Sequence, residues 1–87
     1  MHVSSRKMIR DFYRLHPVAK ESLERWYQLV KKSNFRSFAE IKRTFAGADQ
    51  VKNFVVFNIG GNKYRLIALI KYDFNRIYIR HVLTHKE

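Results

Sequence analysis

Phe54-Val55-Val56-Phe57-Asn58-Ile59-Gly60-Gly61-Asn62-Lys63-Tyr64-Arg65-Leu66-Ile67-Ala68-Leu69-Ile70 reads as two strands around a turn. The first six residues are β-branched, aromatic or aliphatic, broken only by Asn58. Gly60-Gly61-Asn62 supplies residues that accept positive φ, as a tight hairpin requires. Beyond Arg65 the second strand is apolar at consecutive positions, the pattern of a strand covered on both sides. Asp73-Phe74-Asn75 predicts a second turn, and Arg76 to Thr84 a third strand carrying Ile77, Tyr78, Ile79 and Val82. Together these form an antiparallel meander.

Upstream of this stretch the period is helical. Val3 to Ser5 fits a short edge strand, with Ser5 as the cap of a helix from Arg6 to Leu15. His16-Pro17 ends that helix, because the residue before proline disfavours the α region. Pro17 then suits the first turn of the next helix. Over residues 18–33, Ala19, Leu23, Trp26, Tyr27 and Val30 repeat at helical spacing, with most of the charges elsewhere. Ser37-Phe38-Ala39-Glu40 has capping-box spacing and predicts a third short helix to about Phe45. Ala46 to Gln50 reads as a loop. Helices first and strands after predict an α+β domain spanning residues 1–87, its N-terminal helices packed on a small antiparallel sheet with one face open to a ligand.

Eighteen Lys and Arg against seven Asp and Glu give a formal charge of +11 on 87 residues. The 46% hydrophobic content and the seven Phe, five Tyr and one Trp argue for a real core rather than a disordered basic tail. Such a domain must present a positive face, which suits nucleic acid, an anionic membrane or an acidic protein. Cysteine is absent, so disulfides, thiolate metal sites and a cysteine nucleophile are excluded. The first residues lack the apolar run of a secretory leader, and no stretch approaches a membrane span, so the expected location is cytoplasmic. A DNA-binding regulator is disfavoured because no helix-turn-helix pattern appears. Membrane binding is disfavoured because the helices lack a one-sided basic and apolar division.

Asn58-Ile59-Gly60-Gly61-Asn62-Lys63-Tyr64-Arg65-Leu66-Ile67 resembles the HigB family of type II toxins within the RelE-like superfamily. Arg80-His81-Val82-Leu83-Thr84-His85-Lys86-Glu87 resembles that family's last strand and its His-x-Glu ending, and Val3-Ser4-Ser5-Arg6-Lys7 and the length agree. The resemblance implies a RelE-like fold and an mRNA interferase that cuts messages on the ribosome or free of it, arresting translation and growth. It implies no metal and no small-molecule cofactor. It implies neutralisation by a HigA-type helix-turn-helix antitoxin. It also implies a tyrosine, an aspartate and a basic tail after the glutamate, beyond the last residue of this sequence.

Metal-free RNA cleavage needs a base for the 2′-hydroxyl, cations for the phosphorane and an acid for the leaving oxygen. Arg65 is the natural phosphate clamp. Lys63 adds a charge two residues away on the same strand face, and His81 and His85 exchange protons near neutral pH. These four are the catalytic candidates. Asn62, Tyr64, Tyr72, Arg80 and Lys86 are the RNA-binding candidates, the tyrosines by stacking. Register is the open question. A two-residue turn at Phe74-Asn75 pairs Arg65 with Thr84 and parts it from His85. A three-residue turn pairs Arg65 with Leu83 and puts the cations and both histidines on one face.

Plainer readings stand beside these. Arg65 is otherwise a solvated strand residue, His81 a packed histidine, and His85 an exposed terminal one. His2 and His16 lack a partner pattern. Trp26 and Tyr27 suit a core or antitoxin contact better than an RNA platform. Lys31, Lys32, Lys42 and Arg43 suit solvated helix faces that also touch ribosomal RNA. Gly60-Gly61 lacks the strand–loop–helix context of a phosphate loop. The rival function is a noncatalytic RNA- or ribosome-binding module, such as a truncated or degenerate toxin.

Overall fold

The computed structural model describes residues 1–86. The element order is β1 (His2–Ser4), α1 (Arg6–Leu15), α2 (Lys20–Lys32), α3 (Phe38–Thr44), β2 (Asp49–Val51), β3 (Phe54–Ile59), β4 (Tyr64–Lys71) and β5 (Arg76–Thr84), with single 3-10 turns at Pro17–Ala19 and Tyr72–Phe74. The strands form one five-stranded sheet in the order β1-β5-β4-β3-β2. β1 lies parallel to β5, with His2 opposite Arg76. The other pairings are antiparallel.

The expected meander is the centre of this sheet, and two short strands widen it. β2 falls where a loop is expected. Its three residues are all exposed, so no burial pattern announces it, and it exists by pairing Asp49–Val51 with Val56–Phe54. Ser5 stands at the start of α1 but is left-handed, with φ 72, and its side chain caps nothing. The Ser37 cap is formed: its hydroxyl accepts from the Glu40 N–H, and the Glu40 carboxylate reaches back to the Arg36 N–H at 3.1 Å. Pro17 opens a 3-10 turn, so the second α-helix starts at Lys20 rather than at residue 18.

Alternation along the strands defines two faces. Val55, Phe57 and Ile59 of β3, Leu66, Ala68 and Ile70 of β4, and Ile77 and Ile79 of β5 are buried beneath the helices. Ile9, Leu23, Trp26, Val30 and Ile41 come down from the helices to meet them. The Phe57 ring is met edge-on by Trp26 at 5.3 Å and by Phe45 at 5.2 Å. The Met1 amino group donates to the carbonyls of Val30, Lys31 and Ser33 at the C-terminal end of α2, where a positive charge suits the helix dipole. Among the described residues no polar or charged side chain is buried, so the basic surplus is carried on the surface.

Candidate functional site on the open sheet face

The face away from the helices carries Asn58 of β3, Arg65, Ile67, Leu69 and Lys71 of β4, and the side chains of β5 aligned with them. Near the Tyr72 turn, β5 pairs Lys71 with Arg76 and Ala68 with Ile79; farther on it pairs Ile67 with His81 and Arg65 with Leu83. Arg80 has no counterpart, so the strand contains a β-bulge there. The register at the site is therefore the one that unites cations and histidines. It is reached by a bulge and not by a three-residue turn, since the residues between Lys71 and Arg76 form a 3-10 turn closed by left-handed Asn75.

The bulge brings Arg65 and His85 together. Arg65 Nη2 lies 3.2 Å from His85 Nε2. A guanidinium can only donate, so His85 accepts through Nε2 and carries its ring proton on Nδ1. Both side chains are exposed, and the contact lies on an open surface where an extended polymer can reach it. The backbone locks the same corner: the His85 N–H donates to the Lys63 carbonyl at 3.0 Å, one step past the paired strands. Lys63 is exposed at the end of the Gly60–Asn62 turn. That turn needs positive φ at Gly60, Gly61 and Asn62. Asn62 is exposed at its tip.

The other sequence candidates separate. His81 shares the open face, opposite Ile67, but lies about 13 Å along the strand from His85. Arg80 is exposed on the bulge, its guanidinium 5.9 Å from the Tyr78 ring. Lys86 is exposed in the terminal turn, and Glu87 lies outside the described residues. Tyr64 faces the helices, edge-on to Phe12 at 5.6 Å and tilted against His16 at 6.2 Å, so it is not beside Arg65. His16 stacks on Phe12 at 4.4 Å, which gives it a packing role. Tyr72 sits at the far end of β4, half-buried, with a buried hydroxyl that finds no partner among the described residues. Burial pushes that hydroxyl above its ordinary pKa.

Sequence reasoning missed Phe54, Asn58 and Tyr78 on the open face. The signal was present: with Val55, Phe57 and Ile59 inward, residues 54, 56 and 58 point outward. The ion pairs among the described residues join Arg6 to Glu24, Lys7 and Arg14 to Asp11, Arg25 to Glu21, and Lys42 to Asp49. None of them engages Arg65, Lys71, Arg76 or Arg80, so among the described residues the positive charge of the open face is not paired with carboxylates. No group of described His, Asp and Glu residues is placed to hold a metal ion. No helix there is long and apolar enough to cross a membrane.

A small α+β protein with an unneutralised cationic sheet face and an arginine–histidine contact upon it belongs to the class built to handle a phosphate polymer. Comparison with known proteins narrows the class. Residues 19–87 match the HigB toxin family, described as the RelE-like toxic component of a toxin–antitoxin system. The chain is 32% identical over 90 aligned positions to the "mRNA interferase toxin HigB" of Escherichia coli (strain K12), covering all of this chain and 86% of that relative. It is equally similar to the "mRNA interferase HigB" of Shigella flexneri. It is 28% identical to the protein of the same name from Escherichia coli O6:H1, covering all of this chain and 87% of the relative. This chain belongs to the HigB family of toxins, and its α+β fold is consistent with RelE-like toxins.

Proposed function

We propose that the chain is a single-domain mRNA interferase that cuts messages at the Arg65–His85 corner without a metal, works on ribosome-bound message in the cytoplasm, and is neutralised by a HigA-type helix-turn-helix antitoxin. The observation that carries the reading is the 3.2 Å contact between Arg65 and His85 on the open cationic face. Family membership and the names of the relatives support it.

In this scheme a phosphate enters between the two side chains. Arg65 turns its donors to the non-bridging oxygens. His85 Nε2, an acceptor in the resting contact, takes the 2′-hydroxyl proton. The 2′-oxygen bonds to phosphorus, the bond to the 5′-oxygen breaks, and Lys63 supplies the proton that the leaving oxygen takes up. The products are a 2′,3′-cyclic phosphate and a 5′-hydroxyl. His81, too far along the strand to share that proton path, contacts a flanking phosphate with Arg80; Asn62 and Lys86 contact RNA around the hairpin end.

Inducing the chain with and without its antitoxin, and mapping RNA ends in translated messages, tests this. Growth arrest with new 5′-hydroxyl ends, suppressed by the antitoxin and lost in Arg65→Ala, is expected. Ribosome or RNA binding with no new ends would sink the enzymatic reading and leave a noncatalytic RNA-binding module.

A further inference from the structure

The open face does not end at the Arg65–His85 corner. Two steps along β4 from Arg65 comes Ile67, and two more bring Leu69, about 13 Å away by strand rise. Leu69 is flanked by Phe54 on β3 and by Tyr78 on β5, so Phe54, Leu69 and Tyr78 form one row across the sheet. Phe54 is 38% exposed. Beside it, at the end of the sheet, lies a depression of about 460 Å³ lined by Asn53, Phe54, Leu69 and Lys71 and, from the helix side, by Gln50, Ile70 and Tyr72. This row is bordered by cations: Lys71 and Arg76 on one side, Arg80 with its guanidinium over Tyr78 on the other.

An aromatic face, an exposed amide and an ammonium around one hollow match one ligand chemistry. Unpaired bases stack on aromatic rings, expose edges to amide side chains, and bring a phosphate along. A base held inside a duplex offers none of its flat face. An apolar protein segment would leave the bordering cations without counter-charges. We propose that Phe54, with Asn53 and Lys71, forms a second nucleotide subsite, which stacks an unpaired base of the RNA whose phosphate lies at Arg65 and His85. This rests on the cleavage reading for its direction along the strand, and it makes the enzyme a reader of single-stranded message. Tyr72 serves this subsite as a wall, and not the cleavage corner.

Binding is tested with the full chain and short single-stranded oligoribonucleotides carrying 2′-deoxyribose at the mapped cut site, and cleavage kinetics with the same oligomers unmodified. Phe54→Ala should weaken single-strand binding about tenfold, the usual cost of losing one stacked base, and raise KM more than it lowers kcat. Phe54→Trp should restore binding, and RNA should quench the new indole against the constant background of buried Trp26. Lys71→Ala should flatten the salt dependence by about 0.7 in log–log slope. Matched duplex RNA should bind the wild-type chain and Phe54→Ala alike. Unchanged single-strand affinity in a folded Phe54→Ala chain would overturn the subsite, as would an introduced indole in Phe54→Trp that stays unquenched at saturating RNA. So would Phe54→Ala losing only the antitoxin, which would assign the row to a protein partner. Quenching by unmodified RNA that is not cleaved would instead remove the enzymatic reading and leave the subsite standing.

Discussion

At the scale of single residues, Arg65 and His85 carry the strongest claims. Neither is buried or packed, so removing either side chain opens no cavity, and the fold should hold. Arg65→Ala should lower the cleavage rate by about 10²- to 10³-fold, the range for losing one charge-stabilising donor, with a melting temperature close to wild type. Arg65→Lys should recover only part of this, because a lysine cannot offer the two-pronged donor geometry. His85→Ala should cost about 10²- to 10⁴-fold. Single-turnover cleavage with thermal melts of each variant checks all three. Arginine and histidine were legible here because their chemistry is written in the residue type. Tyr64 and Tyr72 were harder to place, because a tyrosine suits a core as well as a base; here Tyr64 packs on Phe12 and the Tyr72 hydroxyl is buried.

At the scale of elements, the bulge on β5 governs which face each residue joins. The sequence holds a trace of it. Ile77 and Ile79 are buried at alternate positions, but the next inward residue is Val82, packed on the core three positions later. That break in parity marks one extra residue. Deleting Arg80 should therefore heal the ladder, keep Arg65 opposite Leu83, and preserve some cleavage. Deleting Val82 should place Leu83 inward in its stead, satisfy the core, and turn His85 to the helix side. Amide exchange should find both chains folded, and only the first should cut RNA. Strand existence was legible from β-branched runs; the register was not, because turn length and bulge trade against each other in the same pattern. β2 was illegible because pairing alone, without burial, creates it.

Alkaline pH tests the helix layer and the 3-10 turn together. Burial, then the hydrogen bond to Glu24 at 3.0 Å, raises the Tyr13 hydroxyl above its ordinary pKa, and burial alone raises that of Tyr72. A group with a raised folded pKa contributes fully below its unfolded value, and the contribution is lost as pH rises through the folded one. Melting temperature should therefore fall as pH climbs past about 10. The double variant Tyr13→Phe/Tyr72→Phe should show a shallower fall, with tyrosinate absorbance reporting the ionisation.

At the scale of the whole molecule, charge and thin stability dominate. A domain of this size holds few kcal/mol in reserve. Leu66 has no exposed surface at the centre of the sheet, so Leu66→Ala should cost about 2–5 kcal/mol and leave much of the chain unfolded near body temperature. Denaturant titration measures it. That the partner is anionic was legible from composition, because +11 has to be displayed somewhere. Which strand cations stay free of carboxylates on the open sheet face was not, since the ion pairs gather around α1, α2 and α3.

The parallel pairing of β1 with β5 has a consequence for timing. β1 leaves the ribosome well before its neighbour β5, with His2 set beside Arg76 once both are present. Closing so long a loop is deferred until β5 has been made. His85 arrives later still. A polypeptide that attacks messages therefore has no assembled Arg65–His85 corner until β4 and β5 have both been made and paired.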